Sequence, residues 1–155
     1  MNAVTPDSFF GRMGGAYCAA TRQIDRLQPL LLLAFRLYVA RVFFMSGLTK
    51  IRDWGVTVAL FTNEYHVPVL PPGIAALMGT AAELSMPLLL ALGLATRFGA
   101  LILFFFNIIA VVSYAALPDI GVKDHILWGV LILVVLVFGP GKISLDYWLE
   151  GRRPG

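Results

Sequence analysis

Four apolar runs, three of them about as long as a bilayer is thick, limit the folds open to this chain. A spanning helix needs about 20 apolar residues, because each residue adds about 1.5 Å across a hydrocarbon core of about 30 Å. The chain is 59% hydrophobic and 14% charged, whereas soluble domains carry about 25% charged residues. We therefore predict an all-α membrane protein, built as a bundle of four transmembrane helices.

Prolines and glycines mark the limits of the predicted spans, which cover about 30–49, 73–94, 98–117 and 119–139. Pro29 stands at the start of the first span, where proline is tolerated. The last apolar run, Ile126–Phe138, has 13 residues and reaches only about 20 Å. We therefore begin that helix at Asp119, which can cap it. Residues 30–139 then form one membrane domain between an N-terminal tail, 1–29, and a C-terminal tail, 140–155.

The connection between the first two spans, Lys50–Pro72, is long for a helical bundle. Within it, four apolar side chains recur at helical spacing: Trp54, Val58, Phe61 and Tyr65. Such a stripe predicts a short amphipathic helix at the membrane interface. It either only covers the bundle or also gates access to it.

Lysine and arginine are divided unequally between the two sides of this bundle, which sets its direction. One side carries Arg12, Arg22, Arg26, Arg97, Lys142, Arg152 and Arg153, and the other carries Lys50, Arg52 and Lys123. We therefore predict a multi-pass protein of the bacterial inner membrane with both termini in the cytoplasm.

The positive charge forms no basic stripe, so nucleic acid is not a predicted partner. Cys18 is the one cysteine, which rules out an internal disulfide.

Three polar side chains fall near the middle of the predicted spans when depth is counted from the span ends. Arg41 lies about 17 Å from the inner end of the first span, and Glu83 lies about 15 Å from the outer end of the second. Asn107 lies about nine residues from the inner end of the third span. Charged groups at this depth normally face the bundle interior and pair. We predict a buried ion pair between Arg41 and Glu83, with Asn107 beside it. The pair either contributes to a binding site or only fixes the helix register.

Other ionisable groups lie nearer the ends of the spans. Lys50, Asp124 and His125 are predicted to form a second polar cluster at the outer mouth of the bundle, where His125 can exchange protons near neutral pH. Arg36 either extends to the cytoplasmic interface or joins the interior set. The ligand-binding candidates are therefore Arg41, Lys50, Glu83, Asn107, Asp124 and His125. No set of histidines and cysteines has the pattern of a zinc site, so no metal site is predicted.

Three stretches together resemble the DoxX family of small bacterial membrane proteins: "RLYVARVFFMSGLTKIRD", "ELSMPLLLALGLATRFGALIL" and "KDHILWG". The family pattern falls on Arg41, Gly47, Lys50, Glu83, Pro87, Gly93 and Arg97. The resemblance implies a four-helix membrane bundle associated with quinol oxidases, thiosulfate:quinone oxidoreductases or systems for redox or metal stress. It makes none of these residues catalytic.

Three functions remain open at this stage. The leading expectation is an inner-membrane subunit that binds a quinone or another lipid-soluble molecule and supports a membrane oxidoreductase, with no covalently bound cofactor. It would work beside a partner protein or as a homo-oligomer, and its walls would include Phe43, Phe44, Phe105, Phe106 and Trp128. The alternatives are a non-enzymatic assembly or scaffold protein and a small transporter; the absence of visible inverted repeats weakens the transporter.

Overall fold

The computed structural model describes residues 9–151, which form six α-helices. The helices are α1 (Phe9–Arg52), α2 (Trp54–Asn63), α3 (Pro72–Leu92), α4 (Thr96–Ser113), α5 (Asp119–Phe138) and α6 (Leu145–Glu150). Helices α1, α3, α4 and α5 are long and apolar enough to cross a membrane. The prediction of an all-α membrane protein with four spanning helices is therefore confirmed, and α5 begins at Asp119, where the sequence placed it.

Helix α1 begins well before the first predicted span. It runs without interruption from Phe9, so Pro29 lies inside it and not at its start. A proline removes the hydrogen bond to the carbonyl four residues earlier, here that of Asp25. Because Asp25 is exposed, water can take that bond. The described part of the predicted N-terminal tail is thus a helical extension of the first span.

The bundle core lies between α1, α3, α4 and α5. Its buried side chains are Val39, Ala40, Phe43, Leu90, Ala100, Leu103, Ile132 and Val135. Gly47 fixes the register of α1 on α3, because a Cβ atom at this position would lie 2.9 Å from Leu84 Cδ2 and 3.1 Å from Glu83 Cβ. This close approach places Glu83 level with Gly47 across the helix pair, and that level determines which side chains can reach the glutamate.

Helix α2 and the segment after it cover one end of the bundle. Asp53 caps α2 by accepting a hydrogen bond from the Val56 amide at 3.0 Å. Phe61 is buried against Ala75 and Ala76 of α3. Tyr65 lies between Phe61 and Tyr114, with ring centroids 5.0 and 4.9 Å away. The predicted short helix between the first two spans is therefore present, and we call the end that it covers the α2 end.

Arg36 holds the opposite end of the bundle together, which we call the α6 end. Its side chain is buried, and its guanidinium donates to the carbonyl oxygens of Leu90 at 2.8 Å, Ala91 at 3.1 Å, Pro140 at 2.6 Å and Ile143 at 2.9 Å. Leu90 and Ala91 lie in the last turn of α3, where carbonyls lack regular helical partners, and Pro140 and Ile143 lie between α5 and α6. Arg36 is therefore buried in the bundle, but its guanidinium binds backbone carbonyls at the α6 end and does not join Glu83 and Asn107.

The segment after α5 is docked against the bundle. Asp146 of α6 accepts hydrogen bonds from the Ala95 and Thr96 amides at 2.7 and 2.8 Å, and its own amide donates to Gly93 O at 2.8 Å. Gly93 has a left-handed φ of 69°, and a Cβ atom there would collide with Arg36 Nη2. Glycine is therefore required where α3 turns into α4.

Candidate functional site

A cavity of about 500 Å³ lies in the half of the bundle nearer the α2 end. Its walls come from α1 to α5, and aromatic rings form much of its surface: Phe43, Phe61, Tyr65, Phe105, Phe106 and Trp128. Of the five predicted wall residues, Phe44 is not part of this lining. The volume lies in the range of sites that enclose small organic molecules, which are mostly apolar with a few polar groups.

Lys50 and Glu83 form the charged wall of the cavity. Lys50 Nζ lies 2.6 Å from Glu83 Oε2 and 2.8 Å from Oε1, and Ser46 Oγ donates to Oε1 at 3.0 Å. Ser46 and Lys50 are four residues apart and therefore share one face of α1. Only 5% of the Glu83 side chain is exposed. A carboxylate this buried is stabilised by its cation and its hydrogen bonds.

The sequence predicted Arg41 as the ion-pair partner of Glu83. In the structure the partner of Glu83 is Lys50. Arg41 is exposed and lies six residues before Gly47, which is level with Glu83; six residues are about 9 Å of helix. Nine residues separate Arg41 from Lys50, or two and a half turns, so the two side chains leave α1 on opposite sides. Arg41 therefore faces away from the cavity.

Asn107 contacts His125 and not the Glu83 pair beside which it was predicted. Asn107 Nδ2 donates to the His125 carbonyl oxygen at 2.9 Å, and Asn107 Oδ1 lies 2.8 Å from His125 Nδ1. Because the amide nitrogen is already the donor to the backbone, Oδ1 must be the acceptor. His125 Nδ1 therefore carries a proton, and Nε2 of the neutral ring is left as an acceptor. The ring also packs edge-on against Trp128, with centroids 4.8 Å apart.

The predicted outer cluster of Lys50, Asp124 and His125 is only partly assembled. Lys50 and His125 both line the cavity, whereas Asp124 is exposed and is not part of its lining. A step of one residue along the helix explains the difference, because adjacent residues on α5 point about 100° apart. Of the six candidate ligand-binding residues, three line the cavity: Lys50, Glu83 and His125.

Two buried polar groups in the cavity wall were not identified from the sequence as hydrogen-bonding sites. Ser113 Oγ and Trp128 Nε1 have no hydrogen-bond partner among residues 9–151. A buried donor without a partner costs about 1–3 kcal/mol, so both groups are suited to meet acceptors on a bound molecule. The sequence indicated Trp128 only as an apolar wall, and a lone serine in a spanning helix usually bonds to its own backbone.

Tyr65 adds a neutral phenol at the α2 end of the cavity. Burial raises the pKa of Tyr65, and the neighbouring Tyr114, Glu83 and Glu64 raise this pKa further. The charge of Glu64 is also the main reason that the pKa of Tyr114 is raised. Both phenols therefore keep their protons at neutral pH and can donate hydrogen bonds.

Comparison with known proteins places this arrangement in a family. The model of the family described as DoxX matches residues 31–116, which is more than half of the chain. The chain belongs to the DoxX family. It is also 33% identical, over 132 residues, to a Haemophilus influenzae protein described as uncharacterized. That alignment covers 79% of this chain and 85% of the relative. No solved structure matches the chain.

The DoxX match divides the cavity wall into two parts. Lys50, Glu83 and Ser113 lie inside the matched residues, whereas His125 and Trp128 lie beyond residue 116, on α5. The ion pair is therefore in the part of the chain that the family model describes. Within residues 9–151, the DoxX fold brings together no group of three or more side chains that could hold a metal ion.

Proposed function

We propose that this DoxX-family protein binds a quinone, or a lipid-soluble molecule with a similar carbonyl-bearing ring, in the cavity. Through this site it supports a membrane oxidoreductase, of which it would be a subunit. The observation that carries the proposal is an apolar, aromatic cavity that contains an ion pair together with two buried polar groups without partners. A hydrocarbon tail alone would leave those polar groups unsatisfied.

The polar groups of the cavity can form hydrogen bonds with both the oxidised and the reduced form of a quinone ring. Carbonyl oxygens accept hydrogen bonds, which the Trp128 indole, the Ser113 hydroxyl and the Lys50 ammonium can donate. When bound, a quinone would take up two electrons and two protons to become a hydroquinone. The hydroxyl groups of a hydroquinone need acceptors, and His125 Nε2 and the Glu83 carboxylate supply them.

Lys50 and His125 are the residues that we assign to proton handling. An ammonium next to a carboxylate can give up a proton while the charge is compensated locally. Imidazole is the side chain whose protonation ordinarily changes near neutral pH, and the link of His125 to Asn107 holds the ring in one orientation. These two residues would donate protons to a ring carbonyl or take them from a hydroxyl.

The electrons would come from a partner protein, because the proposed role of this chain is to hold the carrier and its protons. We place the chain in the bacterial inner membrane with both termini in the cytoplasm, since that orientation puts most lysines and arginines on the inner side. The cavity then opens nearer the outer face. The cellular setting that we propose is a respiratory or redox- or metal-stress assembly.

A scaffold function without a ligand is the second candidate, and a specific observation favours it. Glu83 already has Lys50 and Ser46 as partners, so the pair is complete in the protein alone and joins α1 to α3. Arg36 likewise joins helix ends. In this alternative the cavity is filled by acyl chains, and its polar groups serve only the assembly of the bundle.

Quinone binding by the purified protein in lipid nanodiscs separates these functions. We would titrate a short-chain quinone and, as the matched ligand, a molecule with the same ring substituents but no carbonyl oxygens. The proposal predicts that the quinone binds saturably and that the matched ligand binds at least about tenfold more weakly. A tenfold loss of affinity corresponds to about 1.4 kcal/mol, which is the size of one lost hydrogen bond. Equal affinities would favour the scaffold.

A further inference from the structure

A second, polar cavity of about 480 Å³ lies at the α6 end, opposite to the proposed quinone site. We call it the notch. It is lined by the first turn of α4, by the end of α5 and the turn that follows, and by α6. Asp146 binds the Ala95 and Thr96 amides, and Arg36 binds the Pro140 and Ile143 carbonyls. The walls of the notch are therefore held in place by these four hydrogen bonds.

Two cations line the notch without carboxylate partners. Neither Arg97 nor Lys142 lies within 4.0 Å of a carboxylate oxygen in the part of the chain that the structure describes. The Arg97 guanidinium donates to Val137 O at 3.5 Å, a distance beyond the usual range of an N–H···O hydrogen bond. The nearby Asp146 carboxylate is already engaged by the two amides. Glu150, at the end of α6, also lines the notch and is the second carboxylate there. An anion bound on the side of Arg97 and Lys142 would thus meet two positive groups that have no carboxylate partner within 4.0 Å among residues 9–151.

Thr96 provides an independent indication of a ligand. Its side chain is fully buried, and Oγ1 has no hydrogen-bond partner within residues 9–151. Thr96 lines the notch, and its backbone amide is occupied by Asp146. A buried hydroxyl without a partner is destabilising unless a bound group satisfies it. An oxygen of a ligand in the notch is a suitable acceptor for this hydroxyl.

The surroundings of the notch indicate where such an anion comes from. Phe98 and Phe138 line it and are 55% and 61% exposed, and Tyr147 is 52% exposed. Aromatic side chains with exposed rings at the end of a spanning helix are typical of the membrane–water interface. A ligand in the notch therefore touches water, cationic side chains and lipid-facing rings at once.

We propose that the notch binds the phosphate of a membrane phospholipid. Arg97 and Lys142 would bind the phosphate oxygens, and Thr96 would donate a further hydrogen bond. The acyl chains would lie against Phe98 and Phe138. Because arginine binds phosphate with a planar pair of donors and lysine binds it as a point charge, the two together suit a phosphodiester. The bound lipid would link α4, α5 and α6.

The test measures binding of phosphatidylglycerol to the purified full-length chain by native mass spectrometry, with inorganic phosphate as the soluble competitor. The probe variant is the double change Arg97→Gln and Lys142→Gln. Its matched control is Arg22→Gln with Arg26→Gln, which removes the same charge from exposed positions of α1. We expect the probe to weaken phosphatidylglycerol binding by about tenfold or more and the control to leave it unchanged.

A second variant, in which one hydroxyl is replaced by a methyl group, tests the site even if the double variant folds poorly. Thr96→Val preserves the shape and removes the buried hydroxyl. We expect it to reduce phosphatidylglycerol binding severalfold and not to lower the melting temperature of the lipid-free protein. Equal losses in the probe and control variants, or no loss in the probe and in Thr96→Val, would overturn the site. Complete displacement of the lipid by inorganic phosphate would overturn the lipid as its ligand.

Discussion

Lys50 reaches across from α1 and places its ammonium 2.6 Å from Glu83 Oε2 on α3, inside the wall of the larger cavity. The two side chains are unequally buried, with 18% of Lys50 and 5% of Glu83 exposed. The carboxylate therefore depends more on the pair than the ammonium does. Removing either partner leaves a charge in a medium that solvates it poorly.

Breaking the pair from one side should destabilise the bundle. We expect Lys50→Met to lower the free energy of unfolding by about 3 kcal/mol, because the buried Glu83 carboxylate loses its cation. The double variant Lys50→Met with Glu83→Gln should recover part of this loss, since no uncompensated charge remains. Denaturation of the purified protein in detergent, followed by circular dichroism, measures both.

Arg41→Met is the matched control for this prediction, because it removes a cation from the exposed side of the same helix. We expect it to change the free energy of unfolding by no more than about 0.5 kcal/mol. A loss as large as that of Lys50→Met would contradict the observed pairing. A non-additive effect of Arg41→Met with Glu83→Gln would favour the pair that the sequence predicted.

Replacing Arg36 should loosen the α6 end even when the charge is kept. Arg36→Lys retains a cation but cannot span four carbonyl oxygens with a planar fork, so several carbonyl acceptors lose their donor. We expect a lower melting temperature and faster tryptic cleavage after Lys142. Arg26→Lys, at an exposed position, serves as control. Unchanged cleavage in Arg36→Lys would contradict the docking of the C-terminal segment.

The hydrogen bonds between Asn107 and His125 should fix the tautomer of the ring. We expect ¹⁵N NMR of labelled histidine to show His125 protonated at Nδ1 and bare at Nε2 when the ring is neutral. Asn107→Leu should remove this preference and cost about 1–3 kcal/mol of stability, since the part-buried His125 Nδ1–H loses its acceptor. A neutral ring protonated only at Nε2 would contradict the geometry.

Cys18 offers a direct test of the proposed orientation. It is the one cysteine of the chain and is exposed on α1. A membrane-impermeant maleimide should label it only after the membrane of spheroplasts is opened. In the variant that combines Cys18→Ser with Asp53→Cys, at the other end of α1, intact spheroplasts should be labelled. The reverse pattern would place the termini outside.

The hydropathy of the chain was sufficient to predict four spanning helices. It did not reveal which polar side chains contact each other in the bundle. Depth was counted from the ends of the apolar run at Leu30, and α1 begins instead at Phe9. The level of Glu83 is set by the close contact at Gly47, a packing relation that apolar runs do not reveal. The position of Lys50 on the same face as Ser46 could have been read from helical spacing.

The carbonyls that bind Arg36 could not be predicted, because the end of α3 and the segment between α5 and α6 are brought together only by tertiary folding. The buried groups Ser113 Oγ and Trp128 Nε1 were missed for a related reason. A lack of partners is a property of the folded surroundings and leaves no pattern in the sequence. The family resemblance, in contrast, rested on local motifs and was confirmed over residues 31–116.

Fluorescence of Trp128 tests the central proposal most directly, because its indole lines the cavity. In a background with Trp54→Phe and Trp148→Phe, Trp128 is the one remaining tryptophan. We predict that a short-chain quinone quenches its emission saturably, and that Lys50→Met with Glu83→Gln weakens this quenching about tenfold in folded protein. Quenching that rises linearly without saturation, or that is the same in the double variant, would contradict a quinone bound at the ion pair.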